Sequence, residues 1–367
     1  MSTIERASRA EGRAAYRAIP LYEGGHAGRV EIDLSDNTNQ WGTPPAAARA
    51  LSQLPTSAAA RYPAAYAPEL ARAIADYAGV SPDMVVTGCG SDQILDCAFR
   101  ALAEPGEAVA YADPSFVIVP SFVRANSLRP VPVPWRVGGT PDAPTLLLDE
   151  PALLATGARI IYLCSPNNPT GTVIEPASLE RVIADAPGIV VIDEAYVEFA
   201  GWSAVSLLPE APHVIVTRTF SKAFGLAGLR IGYALGAPSL VRELAKARGP
   251  YALSAWSEPA ATVALAGDLE WMRSRVAEAV DARNRLSGAL TERGWRVYPS
   301  GANFVLAVPG EGLPAAQAIA RALRESGIAV RAFSALPGIG GALRITVAPW
   351  PQLERLLHAL PARGAAA

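Results

Sequence analysis

Four short stretches combine residue types that could do chemistry together. In RTFSKAFGLAGLR (218–230), Lys222 follows two hydroxyl residues, Thr219 and Ser221, and precedes a glycine-spaced arginine, Arg230. A lysine just beyond an apolar run (HVIVT, 213–217) is either a solvated loop cation or an amine held for use. Desolvation beside other cations strips the proton from an ammonium and leaves a nucleophile. In GCGSD (88–92), Gly90, Ser91 and Asp92 form a glycine turn; if it opens a helix, its free N–H groups cradle an anion. SPNNPTG (165–171) offers the amide of Asn168, and DEAYVEF (193–199) offers the carboxylate of Asp193 and the phenol of Tyr196. Singly, each has a plain reading. A GxG turn is a tight turn, NNPTG is ordinary turn composition, Asp193 could cap a helix, and Arg230 could form a surface ion pair. All four follow apolar runs in order, which makes them a set.

A set of this kind needs a scaffold that gathers strand ends. The sequence predicts a helix over 69–78, a strand over 84–87, a helix over 91–102 with Ser91 as its N-cap, and strands over 108–111, 160–164, 189–192 and 214–217. Alternation of strand and helix periods implies a mainly parallel sheet covered on both faces, with ligands collecting beyond the carboxyl ends of its strands. After residue 250 a long helical stretch (269–293) leads to shorter strands over 295–298, 304–308, 329–331 and 343–347, which reads as a smaller α+β domain. The proline-rich stretches 130–134 and 141–144 read as surface connections. With 367 residues, half of them hydrophobic, two cores are expected rather than one. A formal net charge of −2 provides no basic field for nucleic acid or anionic lipid. Three scattered cysteines and three scattered histidines suggest neither a disulfide framework nor a metal site. The first twenty residues carry charges throughout, and no later run is apolar enough to span a membrane, so the chain reads as cytoplasmic.

The combination of GCGSDQ, SPNNPTG, DEAY and TFSKAFGLAGLR resembles the fold-type-I pyridoxal-phosphate aminotransferases, most closely their histidinol-phosphate branch. The resemblance runs from about residue 19 to about residue 350. It implies an aspartate-aminotransferase-like α/β fold, with a large domain over 46–250 and a small domain built from 1–45 together with 251–367. It also implies pyridoxal 5'-phosphate as cofactor, with Lys222 as its covalent partner. Thr219, Ser221, Arg230, Gly90, Ser91 and Asp92 would meet the cofactor phosphate, and Asp193 would keep the ring nitrogen protonated. Tyr196 and Asn168 would bond the ring's phenolic oxygen. Phe116, where relatives carry an aromatic residue, would stack on the ring; its plain reading is core packing.

For the substrate, the resemblance points to Arg344 and Arg331 as anion forks, and to Asn39 and Tyr22. Tyr62 in ARYP matches a tyrosine that relatives send to the partner's cofactor, which implies a homodimer with shared active sites. The stretch 37–42 carries Gln40 where the branch has an acid, leaving no obvious carboxylate for a cationic substrate side chain. The reading is an aminotransferase moving an amino group from a small-molecule donor to a 2-oxo acid, histidinol-phosphate-like. An aromatic or specialised-metabolite aminotransferase, a decarboxylase of the threonine-phosphate type, and a cofactor-binding protein without turnover are the alternatives.

Overall fold

A computed structural model describes residues 12–21, 30–141 and 144–361. Its largest sheet has seven strands: β2 (Val85–Cys89), β3 (Ala108–Asp113), β4 (Arg129–Pro134), β7 (Ile160–Cys164), β8 (Ile189–Asp193), β9 (Val214–Thr219) and β10 (Ile231–Gly236). In space they run β2-β10-β9-β8-β7-β3-β4. Only β10 is antiparallel to its neighbours. A second sheet, in the order β1-β13-β14-β12-β11, joins β1 (Ile32–Leu34) to β11 (Arg296–Tyr298), β12 (Phe304–Val308), β13 (Ile328–Leu336) and β14 (Gly340–Thr346). A hairpin of β5 (Arg136–Gly139) and β6 (Pro144–Leu147) completes the strands.

The central strands open with continuous apolar runs because both faces are covered. Ile160, Tyr162 and Cys164 of β7 pack into one core, with Ile94, Phe99, Val191 and Ile215. Ile161 and Leu163 pack into the other, with Val190, Ile192, Val214 and Val216. This two-residue alternation splits every central strand between two cores, so a one-residue slip would exchange them. The register therefore holds Cys164 opposite Asp193, and Asp193 opposite Thr217, so the polar ends of β7, β8 and β9 meet at one edge.

Four local expectations change. Residues 130–134 are not a surface connection: they form β4, an edge strand parallel to β3. Prolines at 130, 132 and 134 remove every second N–H, all on one side of the strand, which suits an edge. Pro144 likewise opens β6. The helix expected from Ser91 begins at Gly90 and runs to Leu102; Cys89 is its N-cap, its side chain makes no capping bond, and its N–H donates to Gln93 Oε1 at 2.7 Å. β1, β5 and β10 had no predicted counterpart.

Candidate active site

Strands β2, β3, β7, β8 and β9 end around a cavity of about 330 Å³. Ser91, Asp92, Phe116, Asn168, Asp193, Tyr196, Thr219, Ser221, Lys222 and Arg230 line it from these strand ends, and Arg331 and Arg344 line it from β13 and β14. Twelve of the residues singled out in the sequence thus share one cavity.

Lys222 reaches into the cavity and donates from Nζ to the Asp36 carbonyl at 3.0 Å, with Nζ 5.7 Å from the centre of the Tyr196 ring. Its pKa is lowered to about 8, chiefly by burial and then by the Arg344 charge; Asp36 and Asp92 oppose the shift. A substantial fraction of the amine is therefore unprotonated at mildly alkaline pH, which is what a nucleophile or proton acceptor requires. The chain holds only two lysines among 32 basic Lys and Arg residues. The other, Lys246, pairs with Glu243 on an exposed helix.

Asp193 is 2% exposed at the end of β8. Its Oδ2 accepts from the Tyr162 hydroxyl at 2.8 Å, and its Oδ1 accepts from the Ala195 N–H at 3.2 Å and the Thr217 hydroxyl at 3.3 Å. Burial raises its pKa to about 6 in spite of those donors, and Asp92 adds to the rise. A buried carboxylate so placed is strongly favourable to a cationic partner. Tyr196, also buried, accepts on its hydroxyl oxygen from Asn37 Nδ2 at 3.0 Å. Burial pushes its phenol well above the usual value, so it stays a neutral hydrogen-bonding group.

A candidate anion cradle lines the same cavity. The helix Gly90–Leu102 directs its N-terminus at the cavity, where the partial positive charge of its free N–H groups favours a phosphate. Ser221 Oγ lies 2.9 Å from Thr219 Oγ1 on the adjoining turn. Arg230 Nη2 meets Asp92 Oδ2 at 3.1 Å, an ion pair with both side chains more than 40% exposed. Gly90 has φ +77°, and a Cβ there would stand 2.5 Å from Arg230 Nη2. A Cβ at Gly232 of β10 would stand 2.2 Å from the Ser91 nitrogen. Two glycines therefore let strand, helix and guanidinium close in together, a steric requirement that no sequence pattern alone discloses.

Arg344 is buried rather than outward-facing. It donates from Nη1 to Asn168 Oδ1 at 2.6 Å and from Nη2 to the Ser35 carbonyl at 2.5 Å. Arg331 is its directly paired neighbour on β13, so two like charges share one face of the sheet. Such a pairing is unfavourable unless an anion sits between the guanidinium groups, and both line the cavity. Phe116 lines it too while packing against the core.

Two candidates lie elsewhere, and a third is not described. Asn39 does not line the cavity: its Nδ2 donates to the Ala223 carbonyl at 3.0 Å and its Oδ1 accepts from the Trp41 N–H at 2.8 Å, which supports the lysine turn from behind. Tyr62 is 83% exposed and stacks on Tyr251 with ring centres 4.8 Å apart, outside its own chain's cavity. Tyr22 falls outside the described residues. Gln40 also misses the cavity and donates to Thr38 Oγ1 at 3.1 Å; the carboxylate on this segment that does line it is Asp36. Sequence reasoning passed over Asp36, Asn37 and Tyr162. Asn37 sits in the NTN segment (37–39) with Asn39, and Asp36 just precedes it, but choosing among them requires knowing which turn of the chain faces Lys222.

One cavity thus brings together a helix N-terminus flanked by hydroxyls and a guanidinium, a buried carboxylate and a lysine shifted toward its free base, a set suited to an α/β enzyme that works through a bound anionic cofactor. The profile of the family described as aminotransferase class I and II matches residues 29–360, and the chain belongs to that family. It is a pyridoxal-phosphate-dependent aminotransferase of fold type I. It is 37% identical to a histidinol-phosphate aminotransferase of Roseiflexus castenholzii over 334 residues, 90% of this chain and 88% of that one. It is 36% identical to an aromatic amino acid aminotransferase of Cutibacterium acnes over 308 residues, 82% of this chain and 85% of that one. The fold superposes with a TM-score of 0.82 on a histidinol-phosphate aminotransferase of Sinorhizobium meliloti in complex with pyridoxal-5'-phosphate. The two chains are 28% identical, with 96% of this chain and 97% of that one covered.

Proposed function

We propose that this aminotransferase moves the amino group of histidinol phosphate to a 2-oxo acid, with Lys222 as the residue that holds the cofactor. The carrying observation is the union of Lys222, an amine already shifted toward its free base, with the paired forks of Arg331 and Arg344 in one cavity. Thr219, Ser221, Arg230 and the N–H groups of Gly90, Ser91 and Asp92 would hold the cofactor phosphate; Asp193 would hold a proton on the ring nitrogen, steered by Tyr162 and Thr217. When bound, pyridoxal phosphate supplies an electron sink for the pair left behind when the substrate α-carbon loses its proton. Lys222, its amine freed when the substrate's own amine takes its place on the cofactor, would take that proton from the α-carbon, and a pKa near 8 suits the duty. Tyr196 and Asn168 offer a hydroxyl and an amide to the ring oxygen, and Phe116 offers a flat apolar face. Arg344, fixed by Asn168 and Ser35, presents a guanidinium fork to the substrate's anionic group, and Arg331 adds a second charge for a dianion.

The same reading makes the chain a cytoplasmic biosynthetic homodimer, divided near residues 46 and 250. The exposed Tyr62–Tyr251 stack favours a partner subunit covering that face, with Tyr62 completing the partner's phosphate site. A second substrate reading, an aromatic L-amino acid, draws support from the apolar wall of Phe116, Val117 and Phe333 and from the Cutibacterium relative. The deciding experiment mixes purified enzyme and pyridoxal phosphate with 2-oxoglutarate and either histidinol phosphate or phenylalanine, and follows glutamate. A higher kcat/KM for histidinol phosphate is expected; a preference for phenylalanine would replace the leading reading with the second.

A further inference from the structure

Asp36 occupies an unusual position in the cavity. It lies two residues beyond β1, between Ser35, whose carbonyl accepts from Arg344, and Asn37, whose amide donates to Tyr196. Its own carbonyl accepts from Lys222 Nζ, so the residue stands beside the reacting amine. Its carboxylate is fixed rather than mobile: Oδ1 accepts from both the Thr38 N–H at 3.0 Å and the Thr38 hydroxyl at 2.7 Å. Among the described residues Oδ2 has no protein partner. The cavity's other carboxylates are committed, Asp193 to three donors and Asp92 to Arg230.

We infer that Asp36 is a specificity-determining residue, whose spare carboxylate oxygen receives a cationic or N–H-bearing side chain of the substrate. Arg331 and Arg344 give the cavity a positive wall for the substrate's anionic end, and among the described residues lining it Asp36 is the carboxylate with an oxygen left over near Lys222. A substrate with an N–H-bearing ring satisfies Oδ2. One with a purely apolar ring covers the carboxylate without pairing it, which leaves an unmet hydrogen-bond acceptor. This favours imidazole over phenyl within the substrate reading proposed above, on which the inference rests. Because Asp36 is exposed at the cavity wall, the preference is modest, roughly tenfold.

The test compares ligands that share a carboxylate and differ in the ring, imidazole propionate and phenylpropionate, titrated calorimetrically into the holoenzyme. Neither is turned over, so the measurement reports on Asp36 even if histidinol phosphate proves not to be the substrate. Asp36→Asn keeps an oxygen for the Thr38 turn and removes the charge. It is expected to weaken imidazole propionate roughly tenfold relative to phenylpropionate. Asp36→Ala, which also removes the turn's acceptor, is expected to show at least the same change in ratio. An unchanged ratio, with both ligands weakened together, would reduce Asp36 to a turn-former, and a ratio shifted toward imidazole would mean that the carboxylate repels the substrate; either result overturns the inference.

Discussion

Replacing Asp193 with asparagine should stabilise the cofactor-free protein while disabling the enzyme. Asp193 is almost wholly buried, and its pKa rises from an ordinary 3.8 to about 6. Between those values the native state keeps a proton that the unfolded chain has released, so native stability falls as pH rises through the window, and the full penalty is present above it. A gap of about two units at ~1.4 kcal/mol each is a cost of about 3 kcal/mol at neutral pH. Asparagine carries no charge to bury, and its side-chain oxygen still accepts from Ala195 N–H and the Thr217 hydroxyl. Urea denaturation of both cofactor-free proteins at pH 4 and pH 7 separates this effect from any fixed difference in packing. The variant's advantage should grow by about 2 kcal/mol from the lower pH to the higher, since part of the penalty is already present at pH 4. With pyridoxal phosphate added, wild type should gain more than the variant, and turnover of the variant should fall by several powers of ten, each factor of ten being ~1.4 kcal/mol. A stability difference independent of pH would refute the claim that a strained buried charge is kept here for a cationic ring nitrogen.

Three further outcomes are expected. Arg344→Lys should raise KM for the anionic substrate by roughly tenfold or more with little change in cofactor affinity, because an ammonium cannot bridge Asn168, Ser35 and an anion at once; a steady-state comparison with a cofactor titration checks this. Gly90→Ala should weaken pyridoxal phosphate binding, read by fluorescence titration, since its Cβ would displace Arg230 from the helix N-terminus; unchanged affinity would move the phosphate elsewhere. Mixing Lys222→Ala with Tyr62→Phe subunits should yield heterodimers more active per site than either homodimer, and confirmed heterodimers without complementation would confine Tyr62 to its own chain.

Much of the site was legible because the parallel sheet turns sequence order into spatial order. Each polar motif followed an apolar run, and the register of β7, β8 and β9 brings those ends side by side. What escaped were features set by packing. β10 carries Gly232 and Gly236 and reads as a poor strand, yet Gly232 must be glycine where the strand crosses the start of the phosphate-facing helix. β4 was hidden by its prolines, which only an edge strand accepts. Tyr162 looked like one more core residue of β7, since nothing in its neighbours shows that its hydroxyl reaches Asp193. The expectation that Gln40 leaves the entrance without a carboxylate failed because the chain turns around the NTN segment, presenting Asp36 to the cavity and Gln40 to Thr38.

The role of Lys222 is the claim on which the rest depends, and the lysine content of the chain makes its test unusually clean. Borohydride reduction of the enzyme loaded with pyridoxal phosphate, followed by peptide mass spectrometry, has two lysines to distinguish, Lys222 in the cavity and Lys246 paired with Glu243 on an exposed helix. The account predicts a single phosphopyridoxyl adduct on the peptide containing Lys222, lost in Lys222→Ala. An adduct on Lys246, or one that persists in the Lys222→Ala protein, would contradict it.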